Sequence, residues 1–226
     1  MGNGMNKILP GLFVGNIRDA KDAKQLEENK ITHILSIHDN AKPVLEGKEY
    51  LCISASDTPE QNLTPFFHQC TKFIHEARLN GGVVLVHCLA GVSRSVTVTV
   101  AYIMVSTNHN HLNTLNAVRH ARTVANPNFG FQKQLQKFQE GNLKQEREWF
   151  LSTYGPNPFN DQEIVQSLFE SYEEEMSQDQ LKRPQTVPSG SNCASSYPLN
   201  RRDNDPSEVA WTQKRRQGCV VDNFDN

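Results

Sequence analysis

No stretch of these 226 residues stays apolar long enough to cross a bilayer, and no secretory leader is recognisable, which excludes membrane-spanning and secreted classes. Cysteine is sparse and odd in number: five residues with no Cys-x-x-Cys pair, a usage that excludes a disulfide framework and fits a reducing compartment. Charge of one sign is missing too. A formal balance of −2 gives no basic excess for nucleic acid, which is therefore not expected as a partner. Metal-ligand clusters are absent; His109-Asn110-His111 pairs two histidines with no third ligand nearby, the pattern of a solvated loop, so no metal and no other cofactor is expected. From about Ser177 to Asn226 apolar residues are scattered among Ser, Pro, Asn, Gln and mixed charges. Such a segment buries too little surface to offset its ordering entropy, so a disordered tail is expected over 177–226. Its short basic clusters, Arg201-Arg202 and Lys214-Arg215-Arg216, read as solvated, and Cys219 lies too far from the end for a prenylation box.

What remains is 37% hydrophobic and long enough for one α/β domain with an appendage. Ile8 to Val14, broken by Pro10-Gly11, predicts two short edge strands in a hairpin. Ala20, Ala23 and Leu26 predict a helix that Asn29 ends. Strands follow at Ile31–Ile37 and Tyr50–Ile53. Thr64-Pro65 opens an amphipathic helix with Phe66, Phe67, Cys70, Phe73, Ile74 and Ala77 inward, stopped by Gly81-Gly82. Later helices are expected near 112–122, 131–149 (with Gly141 as an interruption) and 161–173.

The informative segment is Val83 to Ser95. An apolar, β-branched run predicts a buried strand that ends in His87-Cys88; five residues then separate Cys88 from Arg94, with Gly91 between them and hydroxyls at Ser93 and Ser95. A five-residue loop can curl so that the amides of Leu89, Ala90, Gly91, Val92 and Ser93 face one concavity. Such a nest, at the N-terminus of a following helix, holds a phosphoryl dianion. Arg94 adds a planar fork for two phosphoryl oxygens. The same field lowers the pKa of Cys88 toward a reactive thiolate, and a thiolate can attack phosphorus to give a phosphocysteine. Ser95 is placed to donate to the leaving sulfur, and His87 to brace the loop backbone. A bare Cys-x5-Arg is weak evidence; the full string in a strand–turn–helix setting is not.

That setting conflicts with local propensity. Val96-Thr97-Val98-Thr99-Val100 alternates like a strand and is made of strand-formers, yet the loop needs a helix N-terminus, so 95–105 is expected to be helical. The leaving oxygen needs a proton donor. Asp57 and Asp39 both follow short strands, and spacing alone leaves the choice between them open.

The pattern resembles the atypical dual-specificity protein phosphatases of the cysteine-dependent phosphatase superfamily. The likeness runs from about Lys7 to Phe138 and includes Ala101-Tyr102-Ile103-Met104 and Asn126-Pro127-Asn128-Phe129-Gly130-Phe131. It implies a mixed, mostly parallel central sheet flanked by helices, as in protein tyrosine phosphatases, with a catalytic domain over 7–150 and a helical extension over 151–176. It also implies hydrolysis of phosphotyrosine and phosphoserine or phosphothreonine in proteins. The acid of such enzymes lies in a strand-end loop before the nucleophile, where Asp57, 31 residues ahead of Cys88, matches. Asn128 would support the phosphate loop.

The opening Met1-Gly2-Asn3-Gly4-Met5-Asn6 is similar to an N-myristoylated subgroup associated with JNK signalling. It implies acylation of Gly2 on a flexible start (1–6), MAP kinase pathway partners, and a cytoplasmic enzyme with peripheral plasma-membrane association and nuclear entry. Asn6 stands where the myristoylation rule prefers Ser or Thr. Only 87 residues precede Cys88, so no upstream docking domain is expected. A monomer is expected. No tyrosine-bearing segment builds a deep pocket wall, so a shallow, dual-specificity site follows. The uncharged Leu89, Ala90 and Val92 lack the lysines that phosphoinositide phosphatases use. A sulfur-transfer or arsenate-reducing loop would not need Asp57 or Asn128. A phosphate-binding adaptor of weak activity would be expected to lack the Cys, the Arg or the acid.

Overall fold

The computed structural model describes residues 4–182, with side chains to 179. The expected acylation site, Gly2, and the tail from 183 onward lie outside the described residues. Five strands, β1 (Asn6–Leu9), β2 (Leu12–Gly15), β3 (His33–Ile37), β4 (Glu49–Ile53) and β5 (Val84–His87), form one sheet in the order β1-β2-β5-β3-β4. Only β1 runs antiparallel; β2, β5, β3 and β4 are mutually parallel. Parallel sheets need cover on both faces, which explains why β5 is apolar up to His87 and buried at every position.

Helices supply that cover. A 3₁₀ turn (Asp19–Lys21) and α1 (Ala23–Glu28) shield one face, where Ala20 and Leu26 pack with Phe13, Ile34 and Leu85. The other face carries α2 (Thr64–Leu79), α3 (Arg94–Ser106), α4 (His111–Ala121), α5 (Phe129–Glu140) and α6 (Leu143–Tyr154) over the main core. In α2, Phe67, Cys70, Ile74 and Ala77 fall on one buried stripe.

The central helix is α3, every residue of which is buried. Alternation therefore carried no information there: all sides of the helix meet protein, so its β-branched side chains bury equally well in either conformation. Thr97 donates its hydroxyl to the Ser93 carbonyl at 2.9 Å, satisfying a polar group that a buried helix would otherwise strand.

Four expectations are corrected. β2 is not an edge strand, because it pairs with β5 as well as β1. The interruption expected at Gly141 is present, dividing 131–149 between α5 and α6, but α6 runs to Tyr154 and so crosses the 150/151 boundary expected between domain and extension. Helix α7 (Asp161–Lys182) continues beyond 173 and into the segment from 177 expected to be disordered, with α4 as its support. Gly4 to Asn6 are tied down rather than loose: the Met5 amide donates to Gln25 at 2.9 Å and Asn6 begins β1.

The start of α7 is pinned by charge. Arg78 of α2 and Asp161 pair through two hydrogen bonds of 2.7 and 2.8 Å, both side chains inaccessible, while Arg78 also donates to the Tyr102 hydroxyl. Removing one member of such a pair strands a buried charge, at roughly 3–5 kcal/mol.

Candidate active site

The site lies at the carboxyl end of β5, between its parallel neighbours β2 and β3, where open α/β sheets leave a crevice. His87 ends the strand, Arg94 begins α3, and the loop between them curls around the Cys88 sulfur. The Gly91 amide donates to Sγ at 3.2 Å and the Ser95 hydroxyl lies 3.3 Å from it. Cys88 is fully buried at the floor, while Leu89 and Ala90 on the rim are exposed. The N-cap of α3, Ser93, makes no side-chain cap, so the first amides of the helix stay directed at the loop interior.

These donors decide the state of the sulfur. Burial alone raises a thiol pKa, and it pushes that of the equally buried Cys70 well above the usual range. At Cys88 burial pulls the same way, but the Ser95 hydroxyl and the amides of Ser95, Val92 and Gly91 outweigh it, and the pKa falls. Two buried thiols in one core are thus driven apart chiefly by the hydrogen bonds that one of them accepts.

Gly91 is required by geometry as well as by conformation. Its φ is +70°, and a Cβ there would lie 2.5 Å from the Gly15 carbonyl oxygen. His87 is a brace: its Nδ1 faces the Cys88 carbonyl at 3.3 Å, and burial lowers its pKa to about 4, so the ring is neutral at physiological pH.

Arg94 is 3% exposed and held from three sides. Its Nη1 donates to the Ala55 carbonyl at 2.8 Å and to Asp39 Oδ2 at 2.9 Å, and its Nε lies 3.4 Å from Asp57 Oδ2. Nε makes no hydrogen bond and has only the Asp57 ion pair on its side, so an incoming oxyanion would compete with that carboxylate for this edge of the fork.

The two candidate acids are separated by what they touch. Asp39 binds Arg94 and the Ser56 hydroxyl, and these bonds hold its pKa below the usual carboxylate value. It is therefore an anchor for the guanidinium. Asp57 accepts from the Ser93 hydroxyl at 2.7 Å and from the Asn128 side-chain amide at 2.9 Å, which sets its carboxyl on the loop beside the cradle.

Asn128 does more than brace the loop. Its backbone amide donates to Ser93 Oγ, its Nδ2 holds Asp57, and its Oδ1 caps α5 by accepting from Phe131 N–H. Two further devices place the Asp57 loop. A Cβ on Gly130 would sit 2.1 Å from the Pro59 carbonyl oxygen, so glycine lets α5 approach that loop. Gln134 stitches it from the other end, accepting from Leu63 N–H and donating to the Gln61 carbonyl.

One residue carried no sequence signal. Arg122, 2% exposed, donates through Nε to the Gly91 carbonyl at 2.8 Å and through Nη1 to the Gly4 carbonyl and Asn6 Oδ1. It ties the N-terminal segment to the phosphate loop and brings a second positive charge within electrostatic reach of the sulfur. Only the return of the chain after α4 brings it there. In folded Arg122→Met protein, the pH at which Cys88 is half-alkylated should move upward, and kcat/KM should fall about tenfold or more for the lost charged hydrogen bond. An unchanged alkylation profile would show Arg122 to be packing alone.

His109 and His111 do not converge. His109 Nε2 faces the Gln162 carbonyl, His111 Nδ1 faces Gln139 Oε1, and among the described residues no group of three metal-ligating side chains exists.

A cysteine drawn toward its thiolate, amides curled around it, an arginine fork and an adjacent carboxyl, at the end of a parallel strand, define a cysteine-dependent phosphatase. The family described as dual specificity phosphatase, catalytic domain, matches residues 12–141. Dual specificity protein phosphatase 22 of Xenopus tropicalis is 58% identical over 175 residues, 77% of this chain and 84% of the relative. The human protein of that name is 56% identical over 168 residues, 74% and 91% of the two chains. A crystal structure of DUSP15 matches with a TM-score of 0.66 at 46% identity, over 69% of this chain and 99% of that one. The chain belongs to the dual-specificity phosphatase family and is a protein phosphatase acting on phosphoproteins.

Proposed function

We propose that Cys88 attacks the phosphorus of phosphotyrosine, phosphoserine or phosphothreonine to form a phosphocysteine. As the S–P bond forms, the P–O bond to the amino acid breaks, and Asp57 gives its proton to the departing oxygen. Water, deprotonated by the same carboxylate, then releases inorganic phosphate, and Ser95 donates to the sulfur as it leaves. The amides of 89–93 and Arg94 carry the phosphoryl charge throughout. The observation that carries this reading is the cradle itself: the Gly91 amide and the Ser95 hydroxyl lie 3.2 and 3.3 Å from the Cys88 sulfur, with the Arg94 guanidinium and the Asp57 carboxyl beside them. Acid quenching during turnover, followed by mass spectrometry of the Cys88 peptide, should find the phosphorylated cysteine. Rapid turnover without it would overturn the step.

The likeness to the N-myristoylated subgroup supports acylation at Gly2, peripheral attachment of a cytoplasmic monomer to the plasma membrane, entry to the nucleus, and substrates in MAP kinase pathways such as JNK signalling. One acyl chain gives reversible attachment only. Cells fed a myristate analogue should label the wild type and not Gly2→Ala; equal labelling would refute acylation there. The adaptor reading is disfavoured by the joint presence of Cys88, Arg94 and Asp57 around one cradle.

A further inference from the structure

A groove of about 370 Å³ opens beside the phosphate loop. Its apolar wall is made of Ile17, Val44 and Leu89, and its basic groups are Lys21 and Lys42. Leu89 and Val44 are 47% and 41% exposed, so two large aliphatic side chains meet water within one concavity. Among the described residues neither lysine has an ion-pair partner. Asp39, the one carboxylate in the lining, is bound to Arg94, so the groove carries unbalanced positive charge.

The groove is continuous with the catalytic site. Leu89 follows the nucleophile directly, Asp39 bridges to Arg94, and the Ile17 amide donates to the Leu89 carbonyl at 3.3 Å, fastening the far wall to the phosphate loop. An extended peptide advances about 3.3–3.6 Å per residue, so a residue one or two places from a phosphoamino acid in the cradle reaches this wall. We propose that this groove is the specificity subsite for the substrate segment flanking the phosphoresidue, and that it selects an aliphatic side chain with an acidic neighbour. The aliphatic group covers Leu89 and Val44, and the carboxylate meets Lys21 or Lys42. The inference rests on the phosphatase reading above and narrows its substrates.

The test uses the full chain, p-nitrophenyl phosphate, and phosphotyrosine peptides carrying a Leu-Glu pair on either side of the phosphoresidue, against matched peptides with Ser-Glu or Leu-Lys. For the favoured side, kcat/KM should fall about tenfold on replacing Leu, as for an apolar group lost from a pocket. It should fall about threefold on replacing Glu, the scale of an exposed ion pair. Val44→Asp should erase the preference for Leu and Lys42→Glu should reverse that for Glu, both leaving p-nitrophenyl phosphate turnover within twofold. Equal turnover of all peptides, or variants that slow the small substrate as much as the peptides, would overturn the subsite. So would a Val44→Asp protein that sediments as a smaller species with unchanged peptide kinetics, since the groove would then seat a second copy of the chain. Failure to hydrolyse p-nitrophenyl phosphate at all would instead remove the phosphatase reading beneath it.

Discussion

Cys88→Ser is expected to lower turnover of any phosphomonoester by more than about a thousandfold while leaving phosphate affinity nearly intact. The donors that act on the sulfur are fixed by the backbone: the Gly91 amide at 3.2 Å, the Val92 and Ser95 amides, and the Ser95 hydroxyl. They lower the pKa of a thiol and so favour its thiolate, but an aliphatic hydroxyl starts too high for the same donors to ionise it. Nucleophilicity is lost and the binding surface is kept, because oxygen is smaller than sulfur and disturbs no wall of the cradle. Calorimetric titration with inorganic phosphate beside steady-state assays would measure both. The wild type should lose activity as pH falls through the lowered Cys88 value, since protonation there removes the nucleophile. An inactive variant that no longer binds phosphate would mean that the sulfur holds the cradle open, which the hydrogen-bond geometry does not require.

Asp57→Asn should separate substrates by leaving group. Asparagine keeps the size of the side chain and can still accept from the Ser93 hydroxyl or the Asn128 amide, so the loop should stay in place. It has no proton to give. General acid catalysis contributes about a hundred- to ten-thousandfold where the leaving oxygen is strongly basic. Turnover of phosphoserine peptides should therefore fall by about that factor, and of an activated aryl phosphate by about tenfold or less. Asp39→Asn should behave differently: it removes the charge from one of the two Nη1 anchors and leaves the Ala55 carbonyl, so KM should rise for both substrates together. If Asp57→Asn depressed both substrates equally and Asp39→Asn showed the leaving-group split, the roles would be exchanged.

The contrast between those carboxylates shows where sequence stops being informative. Both follow parallel strands, β3 and β4, and both end near Arg94; no pattern of neighbours in the chain distinguishes them. Their difference comes from α5, which returns from far along the chain to put Asn128 on Asp57 and Gly130 against Pro59. Arg122 is the sharper case. Nothing near it in sequence marks it as unusual, and its acceptors are Gly91 and Gly4, both remote in the chain. Helix α3 formed over Arg94–Ser106, as the loop requires, because burial on every side outweighed the strand preference of its alternating Val and Thr.

The sequence by itself determined the reaction centre, because the chemistry is local: strand end, cysteine, five amides, arginine and helix start lie in one short run, and their proximity follows from chain connectivity. It also showed most of the strands and helices, because their periodicities are short-range, while the mostly parallel sheet was implied by the family resemblance. The resemblance pointed to Asp57 as the acid, but tertiary structure alone decided what holds Asp57 and Asp39 in place, what anchors Arg94 at rest, what a side chain at Gly91 would strike, and which second cation acts on the sulfur. Each of those depends on groups dozens of residues apart meeting within hydrogen-bond distance, and such meetings are set by packing of the whole core.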